Sequence, residues 1–267
     1  MMERDTTNHK TLSIRVSTDG FCFCIYEPSS PDSVQYHYTK ANADSTLYAN
    51  LCKAIETCPL PLDQVSEVKA IIATNSFTTL PFEFDDKQHH KAYYRKCFPA
   101  AETNIEVIAN RLNAQGITLL FAVEKNIYNR LAQLGQISYY TPASILLGYI
   151  ARAPFTEEKY MLASYSNEGS LLISIKNGKP ELINAFDTGN RNNQLYYLLS
   201  IWKAQGLSQT DDKLYLCGDN HVEEISNTIR DFIRNRERIN PAELFAGNLL
   251  NRIKDIPFDI QALLLCE

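Results

Sequence analysis

No stretch of this 267-residue sequence stays apolar for the roughly 18–20 residues a helix needs to cross a bilayer. The start, MMERDTTNHK, is polar and lacks an apolar h-region, so no secretory signal is visible and the expected compartment is the cytoplasm. Paired cysteines are missing too. The seven cysteines are scattered, odd in number and contain no C-x-x-C, so they are expected to be structural thiols rather than disulfides or zinc ligands. Glycine and proline are not enriched, which leaves an ordinary globular chain. Positive charge is in deficit: the formal charge is −5, which argues against a nucleic-acid binder, since phosphate contact depends on Lys and Arg. Nothing resembling G-x-S-x-G is present, and no Ser-His-Asp or Cys-His nucleophile arrangement can be named.

What is present is organised around Tyr160 to Phe186, three short strands joined by Asn167-Glu168-Gly169 and Asn177-Gly178. Asn-Gly between apolar runs is the strongest short-range hairpin signal. A second meander lies near the N-terminus: Thr11–Ser17, a Thr18-Asp19-Gly20 turn, Phe21–Glu27, a loop over Pro28–Asp32, and Val34–Tyr38. Asp44-Ser45 offers an N-cap to a helix carrying Leu47, Leu51, Ala54 and Ile55 at helical spacing, and Val68–Thr74 has the look of a strand buried on both faces. Phe77–Pro99 begins extended and ends as a helix from Asp86 to Cys97. Ile105–Leu112 and Ile117–Ala122 fit a hairpin. Then follow a helix over Lys125–Leu134, a strand over Gln136–Tyr140 and a helix from Pro142 to about Arg152. After the second meander come a helix from Asn190 to Ala204, a strand Lys213–Cys217 and a helix capped by Asn220 and Glu223. The remainder, Ile239–Leu265, is apolar enough for one more helix and a last strand. The expected division is a first domain over 11–153, with an inserted segment about 77–122, and a second over 160–267.

Three constellations invite a sharper reading. Glu83, Asp85, Asp86, His89 and His90 suggest a metal, but adjacent histidines on a helix diverge by about 100°, and a solvated helix start is the better account. Arg230, Arg234, Arg236 and Arg238 form a basic group expected at a helix end, where dipole partnership suffices to explain it. The tyrosine pairs 93–94, 139–140 and 196–197 are expected to bury one ring and expose the other.

A three-strand meander used twice with crossover helices matches the ribonuclease-H-like unit, duplicated in the actin, sugar kinase and Hsp70 group. The element order resembles the actin-like pilus-assembly and secretion proteins, and the whole chain resembles an uncharacterised bacterial family with an actin-like ATPase fold. Its best local matches are Ala122–Leu147 and the second meander followed by Asp187-Thr188-Gly189. The resemblance implies an α/β architecture of two ribonuclease-H-like domains, with nucleotide held between them by two phosphate hairpins and a glycine-rich adenosine segment. Such hairpins need an Asp to hold Mg²⁺ and a Gly to let backbone N–H groups approach phosphate. Here Arg15 and Ser164 stand at the Asp positions, Ser17 and Ser166 at the Gly positions, and Gly218-Asp219 where two glycines belong. Asp19-Gly20 does not restore the motif, because that Asp sits in the turn.

The expected inter-domain cleft is therefore lined by Ser17, Thr18, Asp19, Ser164, Ser166, Asn167, Gly218 and Asp219, with no catalytic residue, no metal ligand and no cofactor. Arg15 could still pair with phosphate, which leaves weak binding of a nucleotide or other anion open. The expected role is a non-catalytic binding or assembly module whose partner is another protein. The alternatives are an ATPase or phosphotransferase, if Asp19, Asp187 or Asp219 supplied the missing carboxylate, and a nucleic-acid binder, if the C-terminal arginines formed one patch. Oligomeric state is not legible.

Overall fold

A computed structural model describes residues 10–27, 33–101, 103–153, 155–187, 190–218, 222–239 and 256–265. The first meander is β1 (Thr11–Val16), β2 (Gly20–Tyr26) and β3 (Gln35–Lys40), followed by α1 (Leu47–Thr57) and β4 (Glu67–Ile72). Then come β5 (Phe77–Pro81), α2 (His90–Cys97), β6 (Ile105–Leu112), β7 (Ile117–Glu124), α3 (Lys125–Ala132), β8 (Ile137–Tyr140) and α4 (Pro142–Arg152). The second meander is β9 (Lys159–Ser166), β10 (Gly169–Lys176) and β11 (Lys179–Phe186). It continues with α5 (Arg191–Ala204), β12 (Lys213–Gly218), α6 (Val222–Thr228), β13 (Asn235–Arg238) and α7 (Phe258–Leu265).

Two five-stranded sheets repeat one topology. Their orders are β3-β2-β1-β4-β8 and β11-β10-β9-β12-β13, each an antiparallel meander continued by two parallel strands. This mixed α/β arrangement is the duplicated ribonuclease-H-like architecture expected from the sequence. The second meander forms where its turn chemistry dictates: Asn177 (φ 51°) and Gly178 (φ 72°) occupy the left-handed region that a two-residue hairpin demands. A third, three-stranded sheet in the order β5-β7-β6 packs α2 against one face, around Tyr94, Ile105 and Leu120.

β1, β2 and β10 are buried on both faces apart from Lys176, because helices cover both sides. One apolar cluster runs from Leu12, Phe23 and Ile71 through Leu146 and Leu147 to Leu162, Ile173 and Phe258, so residues of both sheets share it with α4 and α7. A second cluster, including Met161, Leu172, Trp202, Leu214 and Ile225, lies under α5 and α6. The junction segment is itself packed. Phe155 lies 4.5 Å from the ring of Tyr215 and 5.1 Å from that of Tyr160, and Glu157 accepts from Tyr215 Oη at 2.8 Å.

Several expectations need correction. The cap of α1 is Thr46, whose side chain accepts from Ala49 N, rather than Asp44-Ser45. Asp86 begins a short 3₁₀ turn over Lys87–His89, and the α-helix starts only at His90. Asp85 is not solvated: its carboxylate is almost fully enclosed and binds His90 (2.6 Å), Thr118 (2.7 Å) and Arg111 (3.1 Å). The hydrogen bonds from Thr118 and His90 hold its pKa below the ordinary carboxylate range. Of the arginine group only Arg230 ends a helix, in the 3₁₀ turn Ile229–Asp231 that continues α6. Arg236 and Arg238 lie in β13, so among the described residues the last strand precedes the last helix, and Arg236 donates to Ser226 O at 3.0 Å. Cys97 is exposed, while burial pushes the Cys22 thiol up to about 11. Asn220 of the expected capping box lies outside the described residues.

Candidate functional site

The ends of β1 and β9 face each other across the junction between the two large sheets. The side chain the sequence places at the first metal-holding position, Arg15, enters this junction from β1. It does not point to open space. Its Nε donates to Asp259 Oδ2 at 2.8 Å and its Nη2 to Glu168 Oε2 at 3.1 Å. All three side chains are about nine-tenths buried or more. Burial works against the guanidinium charge, and the carboxylates of Asp259 and Glu168 more than reverse this, so its pKa is raised. The same pairing occupies two of the five guanidinium N–H donors and sets two carboxylates beside the charge that an anion would seek.

Glu168 comes from the β9–β10 turn and Asp259 from the first turn of α7, where its Oδ1 also accepts from Ile260 N at 2.9 Å. The second oxygen of Glu168, Oε1, is buried without a hydrogen-bond partner. Asn75, following β4, donates its side-chain amide to Glu168 O. One guanidinium therefore joins the first sheet, the second meander and the C-terminal helix.

The expected site residues fall into two adjoining groups. Ser164, Ser166 and Gly218 line a cavity together with Arg15, Glu168 and Asp259. Ser17, Asp19 and Asn167 instead bridge the two hairpin tips: Ser17 Oγ donates to Asp19 Oδ1, and Asn167 Nδ2 donates to Asp19 Oδ2. Burial opposes the charge of Asp19, but these two hydrogen bonds and the Arg15 charge outweigh it and lower the pKa. Thr18 is exposed and joins neither group, and Asp219 lies outside the described residues. Asp187 likewise lines no part of the cavity.

The cavity measures about 40 Å³. That is room for about three waters, against the roughly 300–1,000 Å³ of ordinary small-molecule sites. Gly218 has a reason for being glycine that needs no ligand. Its φ is +111°, and a Cβ there would lie 2.0 Å from the Tyr165 carbonyl oxygen on the paired strand β9. Among the described residues no group of three or more His, Cys, Asp or Glu side chains could hold a metal ion.

Sequence reasoning missed Glu168 and Asp259. Glu168 was legible only as a turn residue, and Asp259 only as an acid opening an apolar terminal segment.

Comparison with solved structures places this geometry in context. A Bacteroides thetaiotaomicron VPI-5482 protein with an actin-like ATPase fold and unknown function is similar over 100% of both chains, with 27% identity and a TM-score of 0.81. A chain of the PilM–PilN type IV pilus biogenesis complex is similar over 97% of this chain and 98% of that one, with 10% identity and a TM-score of 0.61. The actin-like ATPase fold is thereby shown, and no helix among the described residues is long and apolar enough to cross a membrane. No curated protein matches. With residues 1–235 matched by its description, this chain belongs to the protein family of unknown function DUF3822.

Proposed function

We propose that this chain is a non-catalytic member of the actin-like class, a cytoplasmic binding or assembly module whose partner is another protein. The observation that carries the reading is Arg15, held by Glu168 and Asp259 at the position where an active relative needs a metal-binding carboxylate. A fixed cation there opposes Mg²⁺, and phosphoryl transfer depends on metal electrostatics and positioning. The 40 Å³ cavity and the bridged hairpin tips also argue against a nucleotide. The chain divides, on this reading, into units over 11–153, carrying the inserted segment 77–122, and 160–267, with Phe155 between them packed on Tyr149 of the first and on Tyr160 and Tyr215 of the second. Similarity to a chain of the PilM–PilN complex supports a protein partner.

One observation favours the enzyme reading. Carboxylates do reach the junction, as Glu168 and Asp259, and an ATPase with atypical residues would have to free them from Arg15. Phosphate release with ATP and Mg²⁺ separates the two readings, together with thermal unfolding under the same conditions. The expected result is no release above the protein-free blank and no shift in unfolding temperature. A ligand at 100 times its Kd stabilises by about 2.7 kcal/mol, which such a scan detects. Turnover near about 1 s⁻¹, or a Mg-dependent shift of that size, overturns the proposal.

A further inference from the structure

Away from the closed junction, two sheet edges face each other with no strand between them. Among the described residues β6 pairs only with β7 and β8 only with β4, so each is the edge of its own sheet. Lys125 N donates to Asn104 O at 3.0 Å, so the even-numbered residues of β6 face β7, and Ala109 and Arg111 turn their peptide groups outward. Val68 N donates to Gln136 O at 2.9 Å, so the even-numbered residues of β8 face β4, and Ile137 and Tyr139 turn outward. No backbone hydrogen bond among the described residues joins the two edges. One side chain crosses between them: Asn110 Nδ2 donates to the outward carbonyl of Tyr139 at 2.8 Å. The groove they border has a volume of about 470 Å³ and is floored by α4.

Its charge is one-sided. Lys69, Arg111 and Arg152 line it, and no acidic residue does, in a chain whose formal charge is −5. Arg111 is already paired with Asp85 at 3.1 Å and lies over the Phe82 ring, and Lys69 lies 4.0 Å from Glu67, so the charge offered to a ligand is chiefly that of Arg152. Arg152 is exposed at the end of α4. Beyond Gln115 and Ala151 the trench continues into a second hollow of about 550 Å³ bordered by Glu157 and Glu158, so its two ends carry opposite charge.

We propose that this groove takes an extended, acidic segment of a partner protein, which adds a strand to the β6 edge and sets a carboxylate against Arg152. Main-chain hydrogen bonds to Ala109 and Arg111 supply affinity independent of sequence, and Arg152 selects for an acidic side chain. An exposed edge otherwise risks unspecific pairing, and here lysine and arginine deter it except for a complementary chain. The proposal rests on the protein-partner reading above, but it can fail separately.

The test uses the full chain and three fluorescent probes of equal length: a peptide alternating Glu with Val, its Lys–Val counterpart, and a single-stranded oligonucleotide. Binding is followed by anisotropy from about 0.05 to 0.5 M salt. The Glu–Val peptide is expected to bind at least about tenfold tighter than either other probe and to weaken with salt. Ala109→Pro removes an outward N–H without touching the β6–β7 ladder, and Arg152→Glu reverses one charge. Each is expected to weaken binding by about tenfold. Should Ala109→Pro unfold the edge, Arg152→Glu still decides. Equal binding of both peptides, tighter binding of the oligonucleotide, or indifference to Arg152→Glu overturns the proposal. None of these outcomes touches the non-catalytic reading, which stands or falls on phosphate release.

Discussion

The junction at Arg15 and the groove at β6 and β8 lie where separate sheets meet, and they resolve the meeting in opposite ways. At the first, buried charges close the gap to about 40 Å³, and three chain segments are tied through one side chain. At the second, about 470 Å³ stays open between two strand edges, and one amide crosses it. On the non-catalytic reading proposed above, the position that the resemblance gives to a metal-holding carboxylate is taken by a buried arginine paired twice. The opening that remains lies elsewhere, lined by backbone and basic side chains rather than by carboxylates. The Arg15 junction closes as it does because buried charges are tolerated only when paired.

The largest effect should come from breaking the closed side of this comparison. Arg15→Met removes the guanidinium that joins Glu168 and Asp259 and leaves two buried carboxylates without it. Breaking a buried pair in this way costs about 3–5 kcal/mol, read as a fall in the urea midpoint at unchanged slope. Adding Glu168→Gln and Asp259→Asn removes the uncompensated charge and is expected to restore part of the loss. If the single variant matches the parent, the triad does not hold the junction. Next in size is Gly218→Ala. A left-handed φ costs a non-glycine residue about 1–3 kcal/mol, and the clash with the Tyr165 carbonyl adds to that. A cost of a few tenths would mean that the strand ends can separate.

Smaller still is the acid response of the hairpin tips. Asp19 has a lowered pKa in the folded chain, so it contributes stability above the unfolded value near about 3.9 and loses it as pH falls through the folded value. Asp85 acts in the same sense in the three-stranded sheet. Unfolding temperature is therefore expected to fall below about pH 4, and Asp19→Asn should flatten part of that decline. A parallel decline in parent and variant would detach Asp19 from it.

What the sequence made legible was local. Asn177-Gly178 announces its own hairpin, Pro142 and Ser144 announce the start of α4, and the repeated meanders give the architecture. That an arginine stands where the resemblance places a metal-holding Asp was equally legible, since it needs only the residue at position 15. The partners of Arg15 were not. Glu168 and Asp259 lie 153 and 244 residues away in sequence, and no periodicity or spacing encodes a contact of that range. β13 was hidden for another reason: its residues, NRER, sit at a sheet edge and show no apolar alternation. Asp85 was misplaced as solvated because an acid beside histidines fits a helix start equally well. Its enclosure depends on Thr118 of β7, brought over by the sheet.

The smallest expected effect lies on the open side, and it sharpens the comparison most. Arg152 ends α4 with its side chain exposed, so Arg152→Glu reverses a charge without emptying any packed space. Its position in the last turn gives it a favourable dipole interaction of about 0.3–1 kcal/mol at low salt, screened at higher ionic strength. At about 0.15 M salt the variant should therefore unfold within about 0.5 kcal/mol of the parent, as surface substitutions generally do. The same change is expected to weaken the Glu–Val peptide by about tenfold. Stability unchanged with binding lost would mark the groove as a surface kept for something other than folding. Arg15 is expected to give the reverse pattern, with Arg15→Met lowering stability while a chain that still folds keeps its peptide affinity. If Arg152→Glu instead unfolds the chain as readily as Arg15→Met does, the two regions are alike, and the contrast between a sealed junction and an open edge is wrong.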